Sequence, residues 1–98
     1  MTNLNGTKVV VRGIQSGVFF GTLVDRIGQE VELKDCRNIW DWCGAANLNQ
    51  IAVDGIKNLS DSRISIAVDC MVLTDICEII PLSETAIKNL EEAEAWRV

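Results

Sequence analysis

Apolar positions along the chain follow a period of two in some stretches and a helical period of about 3.6 in others. Residues 8–12, Lys-Val-Val-Val-Arg, predict a first strand, closed by a turn over 13–17 that contains Gly13 and Gly17. Residues 18–24, with Phe19, Phe20 and Leu23, predict a second strand. Arg26-Ile27-Gly28-Gln29 then turns the chain into Glu30-Val31-Glu32-Leu33-Lys34, whose strict alternation gives a third strand with one wet face. This strand is expected to continue through residues 38–42, placing Trp40 and Trp42 on one face and Arg37, Ile39 and Asp41 on the other.

After Gly44 the period becomes helical, because Leu48, Ile51 and Ala52 recur at helical spacing and Gly55 stands where a helix would end. Asn47 reads as the N-cap, and Gln50 three residues later resembles the second half of a capping box. A polar loop over residues 57–62 leads to two expected strands: 63–68, which alternates, and 71–80, apolar enough for burial on both faces. Pro81 ends the sheet. Ser83 is expected to cap a last helix with Ala86, Ile87, Leu90, Ala93 and Trp96 as its buried stripe and Lys88, Glu91, Glu92 and Glu94 in water. The pattern predicts a single α+β domain over residues 1–98: an antiparallel β-sheet meander with a short central helix and a C-terminal helix.

A chain of 98 residues buries only a modest share of its surface, so a partner copy is expected to help enclose any ligand. An apolar fraction of 48% with a single proline excludes a disordered chain, and no apolar run approaches the length of a membrane-spanning helix. The net charge of −5 argues against binding polymeric DNA or RNA but leaves room for a small anion served by one or two arginines. The opening Met1-Thr2-Asn3-Leu4-Asn5-Gly6 lacks the charged start and apolar centre of a leader, which makes the cytosol the expected compartment.

No histidine is present, so any catalysis would have to use carboxylates, lysine or cysteine. Asp41, Asp54, Asp69 and Asp75 form no recognisable acid and base pair or metal spacing. Cys36, Cys43, Cys70 and Cys77 fall into two pairs spaced more widely than structural zinc sites use, and buried, reduced thiols are expected. No metal and no cofactor is expected.

Candidate binding chemistry concentrates between Arg37 and Gly55. Trp40 and Trp42 offer flat faces for a base, Arg37 a planar cation, and Gly44-Ala45-Ala46 before the helix start room for a phosphate beside backbone amides. Arg12 and Arg37 also suit ordinary surface ion pairs, and Trp96 suits packing or subunit contact.

The pattern Arg12 … Ser16-Gly17-Val18-Phe19-Phe20-Gly21-Thr22-Leu23, followed by Arg37-Asn38-Ile39-Trp40-Asp41-Trp42-Cys43-Gly44-Ala45-Ala46-Asn47-Leu48-Asn49-Gln50-Ile51-Ala52-Val53-Asp54-Gly55, resembles the first described type of phage Thoeris anti-defence protein. The resemblance extends to Val72-Leu73-Thr74 … Glu78-Ile79-Ile80-Pro81 and so spans most of the chain. Members of that family are sponges, which bind cyclic ADP-ribose signals made by bacterial TIR proteins and hold them without cleavage. Their pockets form between the subunits of a dimer, and some members form hexamers that also take up cyclic oligonucleotides at a separate pocket. Carried over by motif position, the resemblance implies ligand contacts from Arg12, Ser16, Gly17, Phe19, Arg37, Trp40, Trp42, Ala46, Asn47 and Asn49. It implies no catalytic residue, a homodimer or hexamer, and action in the host cytoplasm. Two rival classes stay open: a cyclic-nucleotide-degrading enzyme using Asp41 or Glu78 with a metal, and a protein-interaction inhibitor of a host defence factor using an apolar surface that includes Trp96.

Overall fold

A computed structural model describes residues 1–98. Six strands and two helices follow one another as β1 (Lys8–Gly13), β2 (Val18–Ile27), β3 (Glu30–Asp41), α1 (Leu48–Asp54), β4 (Arg63–Ile64), β5 (Val68–Leu73), β6 (Ile76–Pro81) and α2 (Glu84–Glu91). The antiparallel β1–β2–β3 meander is present, and β6 adds to the far side of β1. The outer edge of β3 is shared: its first half pairs with β5 and its end with β4. The fold is therefore α+β, as the periodicity predicts.

Chain connectivity forces this sheet to curl. β5 and β6 pair with opposite sides of the meander, β5 on β3 and β6 on β1, yet only Thr74 and Asp75 separate them in sequence. The three steps from Leu73 to Ile76 span at most about 10 Å, so the sheet must fold round on itself into an incomplete barrel. Val9, Val11, Phe19, Leu23, Val31, Leu33 and Cys36 fill its inside together with Leu73 and Ile76 from the two ends. A second core lies on the other face of the meander, where Val10, Val18, Phe20 and Ile39 pack under Leu48, Ile51 and Ala52 of α1 and Leu90 of α2.

A bulge in β3 divides the two cores. Thr22 pairs with Lys34 and Phe20 with Arg37, so the single residue Gly21 stands opposite both Asp35 and Cys36. Asp35 takes the left-handed conformation, with φ of 52°. Before the bulge the odd-numbered Val31 and Leu33 point into the barrel; after it Cys36 does so, and Arg37 and Ile39 turn towards the helices.

The local helix signals operate as read. The Asn47 side chain accepts from the Gln50 amide at 3.0 Å and Gly55 closes α1 with φ of 81°, while Ser83 Oγ accepts from the Ala86 amide at 3.0 Å. Asn89 of α2 joins the helices, accepting from Ile56 N at 2.7 Å and donating to Ile56 O at 2.9 Å.

Four expectations change. Residues 63–68 are not one strand: Ser65 Oγ accepts from the Asn38 amide at 2.8 Å and donates to Ile66 O at 2.8 Å, taking up backbone groups that would continue a ladder. Residues 71–80 bend at Thr74 and Asp75, and because β5 and β6 are edge strands most of their residues are not buried. α2 stops at Glu91, so Trp96 lies in an extended tail, 48% exposed, with its amide on Ile64 O and Arg63 over its ring. Of the four free cysteines only Cys36 is buried, and burial pushes its thiol up to about 11.

A Cβ placed on Gly21 would sit 2.7 Å from the Lys34 carbonyl oxygen and 3.2 Å from Cys36 Cα, both backbone atoms that cannot swing aside. Gly21→Ala is expected to cost on the order of 1–3 kcal/mol in urea denaturation. A loss under about 0.5 kcal/mol would show that the bulge does not constrain β2.

Candidate functional site

The expected ligand residues fall into three separate places. Arg12, Ser16 and Gly17 lie around the β1–β2 turn. There the Arg12 guanidinium pairs with Glu78 across β1 and β6, and Asp75 accepts from the amides of Gln15 and Ser16 at 2.7 and 2.9 Å and from Ser16 Oγ at 2.6 Å. Gly17, with φ of 109°, completes the turn, and Phe19 is buried in the barrel at 7% exposure. These contacts organise a loop, and Arg12 has the ordinary ion-pair role open to it in the sequence.

Trp42, Ala46, Asn47 and Asn49 gather at the start of α1. β3 ends at Asp41, so Trp42 leaves the strand and does not share the face of Trp40. Its indole packs against the helix-side core and donates to Ala45 O at 3.3 Å, whereas Trp40 is 66% exposed on β3. The Gln50 side chain accepts from Ala46 N at 2.7 Å, and Asn47 is occupied as the cap. Lys57 and Asn58 occupy the space beside Gly44, the room expected there for a phosphate. Asn49 is exposed on α1.

Arg37 lines a concave site. A cleft of about 260 Å³ lies between the bulged strands and α2, lined by Phe20, Gly21, Thr22, Asp35 and Arg37 from the sheet and Leu82, Ile87, Leu90 and Glu91 from the helix side. Lys8 and Ala67 complete its rim, where Lys8 pairs with Glu91. Sequence reasoning missed Thr22, Asp35, Leu82 and Ile87, which come together through the β2–β3 pairing and the packing of α2 over the sheet. Gly21 did carry a signal, since a glycine inside a strand pattern marks a bulge or a close backbone approach.

The Arg37 side chain crosses the Phe20 ring at 5.7 Å and reaches the end of α2. Nε donates to Ser65 O at 2.7 Å, and the terminal nitrogens donate to Leu90 O at 3.4 Å and Ala93 O at 2.9 Å. A cation at these carbonyls satisfies the negative end of the helix. Three of five N–H donors are thereby used, which leaves two. Arg37 forms no ion pair, and burial lowers its pKa from the usual arginine value. The cleft thus contains a half-buried guanidinium with spare donors, a threonine hydroxyl, an apolar wall, the Asp35 carboxylate and the Lys8–Glu91 ion pair. The guanidinium and the hydroxyl are its groups that suit an anion.

No three His, Cys, Asp or Glu side chains converge as metal ligands, and no helix is long and apolar enough to cross a membrane. The fold and cleft define a small α+β domain with a partly open pocket beneath its C-terminal helix. Residues 6–90 match the family described as a domain of unknown function, DUF6948, and the chain belongs to that family. No curated protein and no solved structure matches the chain.

The three hydrogen bonds to Asp75 hold its carboxyl below the usual aspartate range, the Ser16 hydroxyl contributing most. Because the folded pKa is lowered, this contribution to stability is present above the unfolded aspartate value of about 3.9 and is lost as pH falls through the folded value. The stability difference between the protein and Asp75→Asn should therefore be largest near neutrality and shrink in acid. A difference independent of pH across the acid range would contradict the assignment.

Proposed function

We propose that the protein captures a small nucleotide of the cyclic ADP-ribose class in the cleft beneath α2 and holds it uncleaved. It acts as an anti-defence sponge against TIR-made Thoeris signals in the cytoplasm of the infected host. The observation that carries this reading is Arg37, an expected ligand residue that lines the cleft, with two guanidinium donors free for phosphate oxygens. Thr22 supplies a hydroxyl for a phosphate or ribose, and Leu82 and Ile87 supply a wall for a base. Phe20 is buried and covered by the guanidinium, so base stacking falls to groups other than its ring. At about 260 Å³ the cleft is smaller than the roughly 300–1,000 Å³ of sites that enclose a drug-sized ligand, so part of the nucleotide projects from it.

A second reading, a module that inhibits a host factor by direct contact, draws on the exposed indoles of Trp40 and Trp96. One experiment separates these readings from catalysis. The protein is incubated with a cyclic ADP-ribose, free ligand is measured, the sample is heat-denatured, and the supernatant is chromatographed. Sequestration predicts that free ligand disappears and returns intact. Thr22→Tyr, which fills the cleft, should weaken capture at least tenfold, whereas Trp40→Ala should leave it unchanged. Recovery as linear ADP-ribose would establish an enzyme. Absence of capture, or loss through Trp40→Ala with Thr22→Tyr neutral, would overturn the cleft as the site.

A further inference from the structure

The register of the first three strands sets a row of side chains across the helix-side face of the sheet. Lys8 of β1 pairs with Thr22 of β2, and Thr22 pairs with Lys34 of β3. Residues opposite each other in an antiparallel ladder project to the same side, and neighbouring strands lie about 5 Å apart, so the threonine stands between two lysines. Phe20 and Arg37 form the next pair on this face, about 7 Å farther along β2. The two lysines are differently committed. Lys8 is tied to Glu91 at the cleft rim, whereas Lys34 is exposed and takes part in neither ion pair of the molecule. Of the carboxylates nearby, Glu91 is held by Lys8, and Glu32 accepts from the thiol of Cys70, which sits opposite Lys34 on β5, at 3.6 Å. Asp35 lines the cleft and also stands outside both ion pairs. The mouth of the cleft therefore has one free carboxylate against two cations with donors to spare, Arg37 and Lys34.

We infer that Lys34 is a specificity-determining residue that selects a ligand with two linked phosphates over one with a single phosphate. The first phosphate takes the free Arg37 donors and the Thr22 hydroxyl inside the cleft, and the second lies over the Thr22–Lys34 pair just outside it. This extension rests on the reading of the cleft as the nucleotide site, and it gives a place to the part of the ligand that a volume of about 260 Å³ leaves projecting. A monophosphate is satisfied by Arg37 and Thr22 and gains nothing from Lys34. A second phosphate gains a charge-assisted contact from an ammonium on a flexible stem, while the hydroxyl between the two can serve either. Sequence alone did not mark Lys34, because its alternation with Val31 and Leu33 reads only as the wet face of a strand.

Inorganic pyrophosphate and orthophosphate test this without a nucleotide. Titrated into the protein and followed by the Arg37 Nε–H in NMR, pyrophosphate should bind more tightly than orthophosphate. In Lys34→Gln, which should keep the circular dichroism of the parent because the side chain is exposed, affinity for pyrophosphate should fall at least about fivefold and that for orthophosphate less than about twofold. Lys57→Gln removes the same charge beside Gly44, outside the cleft, and should change neither. Equal losses for the two anions, no loss in Lys34→Gln, the same loss in Lys57→Gln, or no response to pyrophosphate at all would overturn the assignment of Lys34. A Lys34-dependent pyrophosphate site in a protein that does not hold cyclic ADP-ribose would instead leave that assignment standing and overturn the proposed function.

Discussion

The bulge in β3, where Asp35 and Cys36 together oppose Gly21, reverses which residues of that strand face which core. Side chains alternate along a strand, so an uninterrupted β3 would put Arg37 and Ile39 on the same face as Val31 and Leu33, inside the barrel. A guanidinium there would be buried without water or a counter-ion, at a cost of several kcal/mol. With one residue inserted, Cys36 fills the barrel instead and Arg37 lies beneath α2. Gly21 permits this because only a residue without Cβ leaves space for the Lys34 carbonyl.

Placed there, Arg37 joins parts of the chain that are distant in sequence. Its donors reach Ser65, Leu90 and Ala93, so one side chain holds the segment after β4, the last turn of α2 and the start of the tail. Farther along, Trp96 donates its amide to Ile64 O and packs under Arg63. A phosphate taking the two remaining donors would bind to a group whose position is already fixed by the fold, which limits the entropy lost on binding. Structural support and ligand recognition can therefore reside in the same guanidinium, each using different N–H groups.

Local chemistry made the elements legible in the sequence, and long-range geometry hid the site. Alternation identified the meander, while Asn47, Gly55 and Ser83 marked helix ends through contacts within a few residues. The Thr74–Asp75 corner has neither glycine nor proline, so residues 71–80 read as one buried strand although they form two edge strands. Trp40 and Trp42 read as neighbours on a face because nothing in the alternation reports that β3 ends at Asp41. The motif singled out Arg37, but the partners that define its surroundings stand 28 to 56 residues away. Lys8 and Thr22 are cross-strand partners in β1 and β2, and Ile87 joins them only once α2 closes over the sheet.

The cleft beneath α2 as the nucleotide site is the central claim, and side-chain NMR of Arg37 tests it most directly. In a titration of the intact protein with a cyclic ADP-ribose, the Arg37 Nε–H and the backbone amides of Gly21 and Thr22 should shift together and saturate with one affinity. The indole N–H of Trp40 and the amides of residues 46–49 should stay in place. Shifts confined to Trp40 and the start of α1, with Arg37 unmoved at saturating ligand, would contradict the account.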